Sequence, residues 1–250
     1  MIILLLVIYG LLLGSFYNVV GLRVPLNQSI VKPRSSCPAC GHTLTALELI
    51  PVLSYIIQGG KCSRCRERIS PLYPLVEAST AILFLISYSI IGWEPELLVA
   101  LTLVSLFVII FVSDIKYMII PDKVLLFFSG LFLLERIFIP LDPWWNSLAG
   151  SAIGFSLLLL IAVISKGGMG GGDIKLYALI GFVMGAGPVL LAFFLATLLG
   201  AVIGIIGLAA GFFERKKPIP FGPFIAAGAL ISYFYYDSII DWYLSLLMGF

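Results

Sequence analysis

Long apolar runs broken by short polar interruptions organise this chain from end to end. Eight runs approach the ~20 apolar residues that a helix needs to cross a bilayer core: 1–20, 74–92, 97–113, 123–140, 146–165, 176–191, 192–212 and 222–246. The sixth and seventh are the least sharply bounded. Gly181, Gly185, Gly187 and Pro188 interrupt them, and only a tight turn would separate the two. One interruption is long, at 21–73. The pattern therefore predicts an all-α polytopic membrane protein of about eight transmembrane helices. Its parts are a first helix at 1–20, a polar loop domain at 21–73 and a seven-helix membrane domain at 74–250. The first run has no basic residues before it and no small-residue cleavage site after it, so it reads as a retained helix rather than a secretory signal.

Composition agrees with the pattern. Hydrophobic residues make up 61% of the chain and charged residues 11%, against roughly a quarter charged in soluble proteins; mean hydropathy is +1.13. Charge adds an orientation. If the spans alternate, one face collects Arg23, Lys32, Arg34, Lys61, Arg64, Arg66, Arg68, Lys116, Lys123, Lys166, Lys175, Arg215, Lys216 and Lys217, which is fourteen of the fifteen basic residues. Only Arg136 falls near the other face. The positive-inside rule then predicts cytoplasmic loops at 21–73, 114–122, 166–175 and 213–221, with both termini outside. A net charge of +2, spread over membrane-flanking loops, gives no reason to expect nucleic acid as a partner; the bilayer is the expected one.

The long loop holds all four cysteines, as CPAC at 37–40 and CSRC at 62–65, with 21 residues between the pairs. Two C-x-x-C knuckles complete a tetrahedral Zn²⁺ site, so Cys37, Cys40, Cys62 and Cys65 are the expected metal ligands. Disulfides are the competing reading, but they do not persist on a reducing face. Four thiolates leave no open position for water, and a loop this short builds little core without a metal, so the expected role is structural. His42, the lone histidine, reads as a knuckle-turn residue rather than a ligand.

Two aspartates stand where a span meets the predicted cytoplasmic face: Asp114 in FVSDIKYMIIPDK and Asp173 in GMGGGDIKL. Carboxyls held close cannot both ionise easily. Such a pair can act on one water, the ionised member taking its proton while the protonated member polarises a carbonyl. Glycine at 170–172 lets backbone approach a substrate closely, and irregular backbone at membrane depth is tolerated where it lines a wet cavity. An intramembrane hydrolytic site would need these features. Spacing alone leaves other readings open. Asp114 can pair with Lys116 or Lys123 and Asp173 with Lys175, as solvated charges at helix ends. Asp122 is a third acid in the same loop. A transporter's carboxylate pair, or an assembly protein with a structural zinc loop, would also accommodate these residues.

Ordered motifs narrow the choice. GSFYNVVGLRVP at 14–25, CPAC and CSRC, ELIPVLSYIIQGGKC at 48–62, RISPLYPLVE at 68–77, DIKYMIIPD at 114–122, GMGGGDIKL at 168–176 and PFGPFIAAG at 220–228 occur in the order found in the type IV prepilin peptidases, bacterial GxGD-class intramembrane aspartyl proteases. The chain resembles that family along most of its length. Gly21 stands where a bulkier residue is common, and Leu72 where Arg is typical. The resemblance implies that Asp114 and Asp173 are the catalytic pair, supported by Gly170, Gly172 and Lys175. It implies a bacterial inner-membrane enzyme that cuts pilin-like precursors, a short basic leader followed by a hydrophobic helix, on the cytoplasmic side. Many members also methylate the new N-terminus with S-adenosylmethionine, an activity that accompanies the tetracysteine loop. Glu48 and Glu77 lie in family motifs near that loop and could serve the cofactor; the competing role is capping helices or pairing with arginines. The loop is too short for a Rossmann unit.

Overall fold

Sustained apolar sequence becomes helix, and turns fall where glycine, proline and charge interrupt it. The computed structural model describes residues 1–166, 168–212 and 219–248. The Arg215, Lys216 and Lys217 cluster and Gly167 lie outside the described residues. Helices α1 (Ile2–Arg23), α2 (Leu53–Ile57), α3 (Leu72–Ile91), α4 (Glu96–Tyr117), α5 (Asp122–Phe138), α6 (Asn146–Ile164), α7 (Gly171–Met184), α8 (Ala186–Ala209) and α9 (Gly222–Met248) follow in order. Among the described residues, six helices are long and apolar enough to cross a membrane: α1, α3, α4, α6, α8 and α9. The two other runs expected to span form shorter helices, α5 with 17 residues and α7 with 14.

The chain divides into two compact units, Met1–Lys116 and Tyr117–Phe250. In the first, α1 and α3 meet through small residues. A Cβ added at Gly10 would lie 2.5 Å from Ala81 Cα, and one at Gly14 would lie 2.8 Å from Glu77 Cα. This G-x-x-x-G face lets the two backbones approach as closely as membrane helices do. Gly21 opens the same helix toward α4, since a Cβ there would lie 2.7 Å from Val112 Cβ. The glycine that departs from the family pattern thus fits a close helix crossing. Tyr17 donates to Ser105 Oγ at 2.6 Å, a buried hydrogen bond that fixes the register of α1 on α4.

In the second unit α6 and α7 form the tightest pair. A Cβ at Gly150 would run into the Gly181 carbonyl oxygen, and one at Gly154 into that of Tyr177. On α9, Gly228 meets Ala192 and Ala196 of α8 in the same way. The expected break between the sixth and seventh spans moves from 191/192 to Gly185, which adopts φ 87°. Hydropathy is continuous there, so the boundary is set by the left-handed backbone glycine permits, and Pro188 falls in the first turn of α8, where a missing N–H costs little. Asn146 Oδ1 accepts from the Ala186 N–H at 3.0 Å and caps the new helix. Arg136, the basic residue assigned to the opposite face, is buried. Its guanidinium donates to the Val183 carbonyl at 2.9 and 2.6 Å and to Ile139 at 3.1 Å, satisfying acceptors at the ends of α7 and α5.

Candidate functional site

Two matching turns bring the cysteines together. In the first, Cys37 N–H donates to His42 O at 2.9 Å and Gly41 N–H to Cys37 O at 2.9 Å; in the second, Cys62 N–H donates to Glu67 O at 2.8 Å and Arg66 N–H to Cys62 O at 3.1 Å. Each second cysteine is followed by a left-handed residue, Gly41 at φ 69° and Arg66 at φ 62°. Short bridges, Ser36 to Thr43 and Lys61 to Arg68, close both turns. The four thiols are free, and their sulfurs all lie within 4.8 Å of one another, an arrangement that can hold a metal ion. Cys37 to Cys65 is 3.8 Å and Cys40 to Cys62 4.0 Å. Tetrahedral Zn–S bonds of 2.3 Å imply sulfurs about 3.8 Å apart, close to these two separations, so the four cysteines suit zinc. Backbone N–H groups of Cys65, then Arg64, lower the pKa of the Cys62 thiol, while that of Cys65 is raised, so Cys62 is the thiol that ionises first.

Glu48 joins the two knuckles. Its carboxylate accepts from Thr45 N–H at 2.8 Å and Thr45 Oγ1 at 2.9 Å, meets His42 Nε2 at 3.2 Å, and accepts from Ser63 Oγ beside Cys62. The Ser63 hydroxyl first, and the Thr45 donors next, lower its pKa to about 2. His42 therefore serves the turn and is not among the cluster's ligands. Glu77, buried on α3, accepts from the Val52 N–H at 2.8 Å. Val52 sits at φ 61°, a strained position for a β-branched residue, and this bond holds the corner of the loop to the helix.

An open cleft of about 570 Å³ lies beside the second knuckle, lined by Tyr55, Gly59, Gly60, Lys61, Arg68, Ile69, Ser70 and Pro71. Its size is within the range of small-molecule sites, and it offers two cations and one aromatic ring.

Asp114 belongs to the first unit and Asp173 to the second. Asp114 is 6% exposed. It follows Val112 by two residues, as Arg23 follows Gly21, so the α1–α4 register sets it level with the last turn of α1. Asp173 is half-buried in the first turn of α7, whose N-cap is Gly170. A side chain at Gly170 would press on the Asp173 carboxylate, its Cβ 3.0 Å from Oδ2. Register gives the depth of Asp173. Gly150 faces Gly181 and Gly154 faces Tyr177, so the next step sets Leu158 opposite Asp173. As α6 continues to Ile164, Asp173 lies about 9 Å inside the end of that helix, at 1.5 Å per residue.

Lys175 pairs with Asp122 at 2.8 and 2.7 Å, both side chains exposed, rather than with Asp173. A Cβ at Gly172 would lie 2.8 Å from Ile120 Cβ. The segment 120–122 thus lies against the start of α7. Sequence reasoning passed over Asn18, which is buried and donates to Gly14 O and Tyr73 O at 3.3 Å. It also passed over Tyr177, one turn after Asp173, whose buried hydroxyl meets no hydrogen-bond partner among the described residues. A polar side chain inside an apolar run was the available signal for both.

Comparison with known proteins adds two family matches: the bacterial peptidase A24 N-terminal domain over residues 8–91 and the type IV leader peptidase family over 101–205. The chain is 47% identical over 245 residues to the prepilin leader peptidase/N-methyltransferase of Bacillus subtilis (strain 168), covering 98% of this chain and 99% of that protein. It is 34% identical to the protein of that name from Aeromonas salmonicida (strain A449), over 96% of this chain and 93% of the other. The Pseudomonas aeruginosa counterpart is 33% identical over 95% and 92%. No solved structure matches.

Proposed function

Because this chain belongs to the type IV leader peptidase family, we propose that Asp114 and Asp173 form the carboxyl pair with which it cuts leaders from pilin-like precursors. The protein is a multi-pass bacterial membrane enzyme, an aspartic peptidase whose family also methylates. The observation that carries the residue assignment is the depth of Asp173. A short helix with a glycine entry sets this carboxyl about 9 Å inside the end of its neighbour, where a scissile bond at the top of an apolar helix would lie. Gly170 leaves room for the Asp173 carboxylate and Gly172 for the 120–122 connector, which the Lys175–Asp122 pair holds in place. In sequence, only residues 115–119 separate Asp114 from that connector.

In the proposed mechanism the ionised aspartate takes a proton from water as the oxygen attacks the scissile carbonyl. The protonated partner donates to the developing oxyanion, and collapse of the tetrahedral intermediate releases the amine with a proton returned to it. Basic loops orient the site toward the cytoplasm, with both termini outside. The leader's positive charge keeps it in water while the apolar helix stays in lipid.

The loop, a functional part separate from the membrane domain, carries structural zinc on Cys37, Cys40, Cys62 and Cys65 and takes no part in the cut. Methyl transfer from S-adenosylmethionine to the new N-terminal amine would form an N–C bond, break the sulfonium C–S bond and release a proton. Among the described residues no strand–turn–helix cradle exists for this cofactor. The open cleft beside the second knuckle is the candidate place: Lys61 or Arg68 would hold the methionine carboxylate, and Tyr55 would offer a ring to the adenine. Glu48 and Glu77 serve this chemistry by ordering the loop.

Substituting Asp114→Asn and Asp173→Asn separately is expected to reduce leader cleavage by at least ~1,000-fold while each variant retains its helix content. Co-expression with a prepilin, and mass spectrometry of the product's N-terminus, reads both the cut and the added methyl. Full processing by either variant would sink the assignment.

A further inference from the structure

Besides Leu26, Ile30 and Val31 near its start, the loop exposes its apolar side chains in one stretch. Leu47 (75% exposed), Leu53 (57%), Ile56 (66%) and Ile57 (83%) project from residues 47–57, with Leu49 and Ile50 beside them. On α2, Leu53, Ile56 and Ile57 share one face by helical spacing, whereas Tyr55 turns to the cleft. A contiguous apolar patch of this kind marks a contact surface.

Its depth identifies what it touches. The Val52 N–H is bonded to Glu77 at 2.8 Å. Glu77 lies five residues into α3, about 7 Å below its start, and a helix of that length spans about 30 Å, the whole hydrocarbon core. The α1–α3 contact gives a second measure. Gly14 abuts Glu77 and lies nine residues from Arg23 at the loop end of α1, about 13 Å along the axis. Val52 is therefore tethered below the loop ends of α1 and α3, level with the headgroup–acyl boundary rather than above the headgroups.

Backbone and charge meet the same demand. The N–H groups of Leu53, Ser54, Ile56 and Gln58 donate to carbonyls of Pro51, Ile50, Val52 and Ser54, and Glu77 takes that of Val52. Lipid imposes this internal satisfaction. Lys61, Arg64, Arg66 and Arg68 are exposed nearby in sequence, as anionic headgroups favour.

We infer that residues 47–57 are a lipid-docking element: α2 lies in the headgroup–acyl boundary with Leu53, Ile56 and Ile57 turned into the bilayer, seating the zinc knuckles and the cleft on the membrane surface. The occupant is phospholipid, and no catalytic step enters the argument.

The test uses the full chain, zinc-loaded, with a benzophenone amino acid at Ile56 or at Ile57, in nanodiscs of phosphatidylethanolamine and phosphatidylglycerol. Irradiation is expected to give phospholipid adducts at both positions and none with the same probe at Arg66, and added prepilin should leave them unchanged. Absence of lipid adducts, or their replacement by prepilin adducts, overturns the inference; the second result would make the patch a groove for the substrate helix. Zinc content shows that the labelled loop is folded. Hydrogen–deuterium exchange of the unmodified protein in the same nanodiscs supplies an independent reading. Amides 52–58 should exchange at least about tenfold more slowly than those of 28–32, and equal rates would overturn the proposal.

Discussion

Glu48 shows how much a single carboxylate can hold: two donors from Thr45, the Ser63 hydroxyl and the His42 ring converge on it from both knuckles. Its pKa, lowered from 4.5 to about 2, makes the sign of its pH effect definite. The stabilisation is complete above the ordinary value and is lost as pH falls through about 2, so it is constant across the neutral range. Glu48→Gln is expected to speed zinc loss to a chelator by roughly 10- to 100-fold, with a wild-type-to-variant ratio that stays flat around neutrality. Competition with a colorimetric chelator measures both. Lys175 behaves differently. Its pair with Asp122 is exposed, and such pairs contribute about 0–1 kcal/mol. Lys175→Ala should leave the thermal midpoint nearly unmoved while cleavage falls about tenfold through a looser connector, and kinetics on purified protein would separate the two effects.

At the scale of elements, glycines at helix crossings set the architecture. Gly150 and Gly181 face each other so closely that any side chain meets backbone, and no rotamer change relieves a backbone collision. Gly181→Ala is expected to destabilise by about 1–3 kcal/mol, seen as a lower thermal midpoint in detergent. The control is Gly130→Ala, where nothing lies within 4 Å. There the better helix former should stabilise by up to ~1 kcal/mol. The same crossing sets the depth of Asp173, because that depth follows from the α6–α7 register. α7 is short, about 21 Å, and begins at Gly171, two residues ahead of Asp173.

At the scale of the molecule, the loop's cysteine cluster and the aspartates are built on different supports. The cysteines depend on turns and on each other, whereas Asp173 depends on packed helices. Chelation, or Cys62→Ser, is expected to disorder residues 36–68 and abolish methylation, while leader cleavage persists within about threefold. The mass of the processed N-terminus distinguishes a cut, unmethylated product from an uncut one. Concurrent loss of both activities would mean that the loop also supports the peptidase site.

Much of this was legible in one dimension. The eight apolar runs, the two C-x-x-C pairs and the acids of DIKYMIIPD and GMGGGDIKL are local patterns, and hydropathy and ligand spacing are local quantities. The tertiary structure alone decided the rest: the break at Gly185, the choice of Asp122 as partner for Lys175, the capping by Arg136 and the tether from Glu77 to Val52. Most of these depend on which residues meet in space, and that follows from the register of the helices. That register is set by backbone contact at glycines such as Gly14, Gly154 and Gly181, and hydropathy is blind to it because every register of two apolar helices buries similar surface.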